Sequence, residues 1–153
     1  MMPPGLVRYV DLMTGLSPAR LATLADVVTD DMHFRDPFND VTGRAHFARC
    51  LEDMLAQIAD LRIEVTHAAP LESLGDGEGE GVARHALYWR FGGHLVKLGR
   101  RRWDVTGVAI VTLAPDGRVC EHLDYWDAAG GLYEQLPLLG GLMRWLRRRL
   151  AVD

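Results

Sequence analysis

Gly117-Arg118-Val119-Cys120-Glu121-His122-Leu123-Asp124-Tyr125-Trp126-Asp127 is the stretch that decides the fold of this chain. It leaves a Pro115-Asp116-Gly117 turn and continues as a strand, so alternate residues point to opposite faces. Cys120, His122, Asp124 and Trp126 share one face; Val119, Glu121, Leu123, Tyr125 and Asp127 share the other. An aspartate two residues from a tryptophan sets an ionisable group beside an apolar wall. If that face looks into a cavity, the acid has to pair or stay protonated, because an unpaired buried charge is costly.

Working outward, the strand closes a run of sheet. Leu61, Ile63 and Val65 alternate, Val82 to Phe91 and Val105 to Leu113 read as longer strands, and Gly92-Gly93 reads as a turn ahead of Arg100-Arg101-Arg102. The acidic, glycine-rich stretch 76–81 is expected to be a mobile hairpin loop. Upstream, Leu6, Tyr9, Val10, Leu12 and Met13 recur at helical spacing from Gly5 to Thr14, and Gly15 ends that helix. Ser17-Pro18 caps a second helix with Leu21, Leu24, Ala25 and Val28 on its apolar stripe. Met32 to Arg35 is a short strand, and Asp36-Pro37-Phe38-Asn39-Asp40 is loop, since proline removes a donor and constrains its predecessor. Thr42 is the expected N-cap of a third helix reaching about Ile58.

After Asp127, residues 132–150 form an amphipathic tail interrupted by Pro137 and Gly140-Gly141, carrying Arg144 and Arg147 to Arg149. Arginines clustered with Trp145 and leucines suit an anionic membrane surface, but the favoured expectation is that the leucines pack on the domain or close the cavity as a lid, with the arginines in solvent. Segregated helices followed by hairpin-connected strands predict an α+β fold, a curved antiparallel sheet wrapped as a cone around the N-terminal helices. The space between them is a default ligand site.

The 153 residues are predicted to make one domain, 1–153. With 48% hydrophobic and 25% charged residues, neither disorder nor a fibrous repeat is indicated. A net charge of -4 offers no electrostatic case for nucleic acid. Cys50 and Cys120 are too few for a disulfide framework, and the N-terminus lacks a secretory pattern, so reduced thiols and a cytoplasmic location are predicted. No apolar run reaches membrane-spanning length. His33, His46, His67, His85, His94 and His122 show no metal-ligand spacing, and Ser17 and Ser73 stand in no nucleophile elbow. No metal and no cofactor are predicted, and acidic neighbours of the glycine-rich stretch argue against a phosphate site.

In their order, these motifs resemble the nuclear transport factor 2-like superfamily, particularly its SnoaL-like, ketosteroid isomerase-like and limonene epoxide hydrolase-like members. The resemblance rests on the helical pair, the strand ending in Phe34-Arg35-Asp36-Pro37, the Gly43 loop into the third helix, and the Asp116-Gly117-Arg118-Val119 turn before Asp124-Tyr125-Trp126-Asp127. It implies an α+β cone, commonly a homodimer built on the outer sheet face, where Val119, Leu123 and Tyr125 offer apolar surface. It implies further that Asp36 occupies the position of the isomerase base and Tyr9, in Arg8-Tyr9-Val10, that of the oxyanion donor. The isomerases' third group, a protonated acid, falls at Ala109, which cannot donate. Asp124 matches the first aspartate of the epoxide hydrolase ending, whereas Arg84-His85-Ala86 lacks that branch's second carboxylate.

Each candidate carries a plainer alternative. Asp36 is a general base or the cap of a strand-end turn. Tyr9 is a donor or an ordinary core tyrosine. Asp124 is an acid or base, or half of a structural ion pair, with His122, Arg90 or His85 as its partner. Trp126, Trp103, Tyr88, His122 and Phe38 are expected to line the pocket. The predicted function is cofactor-independent acid-base chemistry on a small, largely apolar carbonyl, hydroxyl or epoxide compound, of isomerase, dehydratase, cyclase or hydrolase type. The rival is a non-catalytic ligand-binding or dimerisation module.

Overall fold

The computed structural model describes residues 1–72, 83–136 and 138–151, so the loop expected at 76–81, Ser73 and Pro137 lie outside the described residues. Helix α1 (Pro4–Thr14) starts with a proline in its first turn, buries Leu6, Tyr9 and Leu12, and ends at Gly15. The second helix is shorter than its spacing predicts. The Ser17 hydroxyl does accept the Arg20 N–H at 3.3 Å, yet α2 covers only Pro18–Leu21. A 3-10 turn at Leu24–Asp26 follows, and strand β1 (Val28–Arg35) then begins in the β-branched run Val27-Val28-Thr29, which favours extended backbone.

Strand β2 (Asp40–Thr42) pairs antiparallel with β1, with His33 opposite Thr42. Thr42 is thus a strand residue and not the predicted N-cap. Gly43, at φ +103°, makes the entry into α3 (Arg44–Gln57), a conformation a side chain resists. The remaining strands are β3 (Ile58–Leu71), β4 (Ala83–Leu95), β5 (Arg101–Leu113) and β6 (Val119–Trp126). Helix α4 (Ala128–Gly131) is capped by the Asp127 carboxylate, and a 3-10 turn (Tyr133–Gln135) leads to α5 (Leu139–Leu150).

The strands form one curved six-stranded sheet in the order β2-β1-β6-β5-β4-β3. All neighbours are antiparallel except β1 and β6, which run parallel. The core joins Leu6, Tyr9 and Leu12 of α1 and Phe47 and Leu51 of α3 to Met32, Phe34, Leu87, Ala109, Val111 and Val119 of the sheet. This is the α+β architecture predicted from the segregated pattern.

Two local expectations are corrected. Gly92 and Gly93 do not turn the chain; they pair with Asp104 and Trp103 inside β4, and Ile58 of β3 packs over Gly93 in the space a side chain would take. The reversal falls instead at Val96–Leu98 and Gly99. On β6 strict alternation fails at Cys120. Thr112 pairs with Glu121 but Leu113 with Val119, so Cys120 is a one-residue bulge. Val119 is therefore buried in the core instead of standing on the outer face, while His122, Asp124 and Trp126 point into the cone as expected and Cys120 does not join them.

Candidate active site

A cavity of about 430 Å³ opens between α1, α3 and the concave face of the sheet. Alternation along β4 and β5 supplies most of its wall: Leu87, Trp89 and Phe91 from one, Trp103, Val105 and Ala109 from the other. Met13 of α1 and Met54 of α3 cover the opposite side. One cluster of polar groups lies where α1 meets β6.

Tyr9 is fully buried, and its hydroxyl lies 2.6 Å from His122 Nδ1. Burial, then the Asp124 charge, push the phenol well above its ordinary value, so it remains an O–H, which donates to Nδ1 in the tautomer that turns Nε2–H toward the Asp124 carboxylate. The imidazole proton then sits on Nε2. That atom is 2.9 Å from Asp124 Oδ1, at an angle too bent for a hydrogen bond. From the other side the Trp89 indole N–H donates to the same Oδ1 at 3.0 Å. Tyr9 at 5.8 Å and Phe34 at 5.5 Å pack edge-on against the His122 ring and fix its plane. Asp124, its side chain 17% exposed, thus has both contacts on Oδ1 and lines the cavity. Of the three partners considered for it, His122 is the one in place. Arg90 reaches Glu64 at 3.9 Å on the exposed face, and His85 does not line the cavity.

The Trp89 bond depends on Gly107, which lies between Trp89 on β4 and Trp126 on β6. A Cβ there would collide with the six-membered ring of Trp89 and come within 2.8 Å of the Tyr125 carbonyl oxygen. The missing side chain lets the indole cross β5 to reach the acid. Trp89 escaped the sequence reading, although the apolar alternation Leu87, Trp89, Phe91 marked it. Tyr88 was expected to line the pocket and does not. It has the opposite parity, is 38% exposed, and its ring lies 6.1 Å from His67 on the outer face. Asn39, Asp53 and Gln57 also line the cavity without having been singled out.

Asp36 borders the same cavity, but its carboxylate is occupied. Oδ1 accepts the Phe38 N–H at 2.7 Å, the Asn39 N–H at 2.6 Å and the Asn39 side-chain amide at 3.1 Å, closing the strand-end turn. Phe38 stands over Trp126 at 5.5 Å and touches Tyr133 at 6.3 Å, at the rim. Trp103 is wall: its ring meets Phe91 and Trp126, and its N–H tethers the Gly131 carbonyl at 2.9 Å.

His85 points inward from β4 opposite Val111, with Nδ1 unpartnered among the described residues. Burial pushes its imidazole below the ordinary value of 6.5. On acidification the unfolded chain takes up that proton first. The stability contributed by neutral His85 is therefore full above the unfolded value and lost as pH falls below it. In His85→Leu the melting temperature should fall less than wild type between about pH 7 and pH 5. Parallel curves would remove His85 from the acid response.

Among the described residues no group of three histidines, cysteines or acids stands ready for a metal, and no helix is long and apolar enough to cross a membrane. No curated protein matches the sequence significantly. Several solved structures share the fold. A protein with a ketosteroid isomerase-like fold from Catenulispora acidiphila DSM 44928, in complex with trimethylamine, is 19% identical, with a TM-score of 0.64 over 86% of this chain and 92% of that one. The epoxide hydrolase/cyclase-like enzyme SalBIII, in pyran ring formation in the polyether salinomycin, is 17% identical, with a TM-score of 0.63 over 80% and 88%. An LEH-like epoxide hydrolase of M. tuberculosis is 16% identical, with a TM-score of 0.60 over 97% and 92%. The SnoaL-like domain model matches residues 7–122, from within α1 to His122, and the chain belongs to that family.

Proposed function

We propose that the protein is a cofactor-independent acid-base enzyme acting on a small, largely apolar carbonyl, hydroxyl or epoxide compound, with Asp124 as its proton-transfer group. One observation carries this reading: a carboxylate in the wall of a largely apolar cavity, its Oδ1 held by Trp89 and faced by His122. Such an acid accepts a proton from a substrate C–H, hydroxyl or attacking water and returns it later in the cycle. Tyr9 acts through His122, fixing its tautomer. Asp36, tied into its turn, shapes the rim with Phe38, while Trp126 and Trp103 supply apolar contact. The cyclase- and epoxide hydrolase-like relatives support small-molecule isomerase, cyclase or hydrolase chemistry in this fold.

Ala109, fully buried directly opposite Asp124 on β5, favours the second reading, a non-catalytic binding module, because no second acid stands there. A thermal-shift screen against enones, polycyclic ketones, epoxides and lipids, run on wild type, Asp36→Asn and Asp124→Asn, separates the two. Hits that are turned over by wild type and bound but left unreacted by Asp124→Asn support the enzyme. Hits that no variant turns over support the module. A homodimer through the outer face, where Leu123 and Tyr125 stand and Arg35 donates to the Tyr125 hydroxyl at 2.9 Å, belongs to the same proposal. A monomer by light scattering at every concentration removes it.

A further inference from the structure

Helix α5 is attached to the body by its polar side. The Glu134 carbonyl abuts Gly140 and accepts the Arg144 guanidinium at 2.8 Å, and the Glu134 carboxylate pairs with Arg147 at 2.7 Å. Gly140, Arg144 and Arg147 recur at helical spacing, so they share one face. Leu139, Leu142, Leu146 and Leu150 share another, flanked by Trp145, and that apolar face is turned to solvent: Leu142 is 50%, Trp145 52% and Leu150 81% exposed. The expected packing of these leucines on the domain does not occur, because the Glu134 contacts hold the opposite orientation. Four of the chain's 17 basic residues stand in these 12 residues, which hold no acid, although the whole chain is net -4. Arg148 and Arg149 have no acidic partner among the described residues, and Arg149 lies 5.2 Å over the Trp145 ring.

We infer that α5 docks on an anionic lipid bilayer, lying in the interface with its leucines and Trp145 among the acyl chains and its arginines at the headgroups. A basic amphipathic helix with an interfacial tryptophan fits that surface in both shape and charge. A second copy fits it less well. A two-fold interface sets the same patch against itself, and this patch would bring Arg148 and Arg149 against like charge. The helix is joined to the cavity mouth through Glu134. Its neighbour Tyr133 touches Phe38 at the rim, and Leu132 lines the cavity. Docking therefore holds the mouth beside the phase in which an apolar ligand dissolves. This last consequence rests on the proposed ligand class; the docking itself does not.

The test is flotation of the full chain with vesicles of phosphatidylcholine alone and of phosphatidylcholine mixed with phosphatidylglycerol, at low and high salt. Melting curves check folding, and light scattering reads association. Binding is expected on the mixed vesicles, weakened by salt and abolished in Leu142→Glu/Leu146→Glu, whose melting stays close to wild type since both side chains are exposed. Arg148→Ala/Arg149→Ala should weaken it roughly thirtyfold. No flotation, or equal binding to both lipids, overturns the inference, as does binding indifferent to the arginine pair. Self-association lost in the leucine variant without vesicle binding would instead assign the face to a second copy. None of these measurements depends on turnover, so their outcome stands apart from that of the enzymatic reading.

Discussion

Asp124→Asn should leave melting and ligand affinity near wild type and lower turnover by about 10²–10⁴-fold, the usual contribution of a positioned general acid or base. The substitution is nearly isosteric. Its side-chain oxygen still accepts the Trp89 indole N–H, and the new amide takes the place of Oδ2. Shape and apolar contact therefore persist while the proton acceptor is lost. Asp124→Ala is the coarser variant. It strands the Trp89 N–H and leaves His122 Nε2 without its acidic neighbour, so some stability should go with the activity. Turnover by Asp124→Asn within about threefold of wild type would move the chemistry elsewhere in the cavity.

Gly107→Ala should be nearly as damaging, although glycine has no chemistry of its own. Its methyl group would overlap the Trp89 ring and press on the Tyr125 carbonyl, so the indole must leave its place. Overpacking of this kind costs about 1–3 kcal/mol. The displaced indole also releases Asp124 Oδ1, a charge-assisted hydrogen bond worth roughly 1.5–3 kcal/mol where it forms. Turnover is expected to fall at least about tenfold, a loss of about 1.4 kcal/mol in transition-state stabilisation. Trp89→Phe provides the control: it drops the same hydrogen bond without the strain. If Gly107→Ala lost stability but not turnover while Trp89→Phe kept both, the bond to Asp124 would have no role in orienting it.

The longer strands, helices α1 and α3 and the cavity face of β6 were legible because each is written in local periodicity. Period-two alternation from His122 to Trp126 and from Trp103 to Ala109 put those residues on the concave side, where they are. Illegible were features fixed by contacts distant in sequence. That Tyr9 meets His122 depends on α1 crossing β6, 113 positions away, and no spacing rule contains that crossing. Tyr88 was named as a wall residue and Trp89 was not, against a parity already visible in Leu87 and Phe91. Asp36 was ambiguous in the sequence because an Asp-Pro pair at a strand end serves a base and a turn equally. Only the hydrogen bonds from Phe38 and Asn39 show its carboxylate committed to the turn. Gly92-Gly93 misled for a related reason: glycine marks a reversal and a tightly packed strand alike, and the deciding neighbour, Ile58, lies 35 residues away in the chain.

The bulge at Cys120 also bears on how sequences like this one can change. It works as a phase shifter: upstream of it β6 closes the base of the core with Val119, and downstream the same strand presents His122, Asp124 and Trp126 to the cavity. Removing that single residue would leave Val119 and His122 two positions apart, so both would keep their face by plain alternation and the strand would only lose its bulge. Point substitutions can retune this site one group at a time. A one-residue deletion beyond the bulge, at Leu123, would instead set His122 and Asp124 on opposite faces in one step, so lineages carrying the site should tolerate the loss of Cys120 far better than that of Leu123.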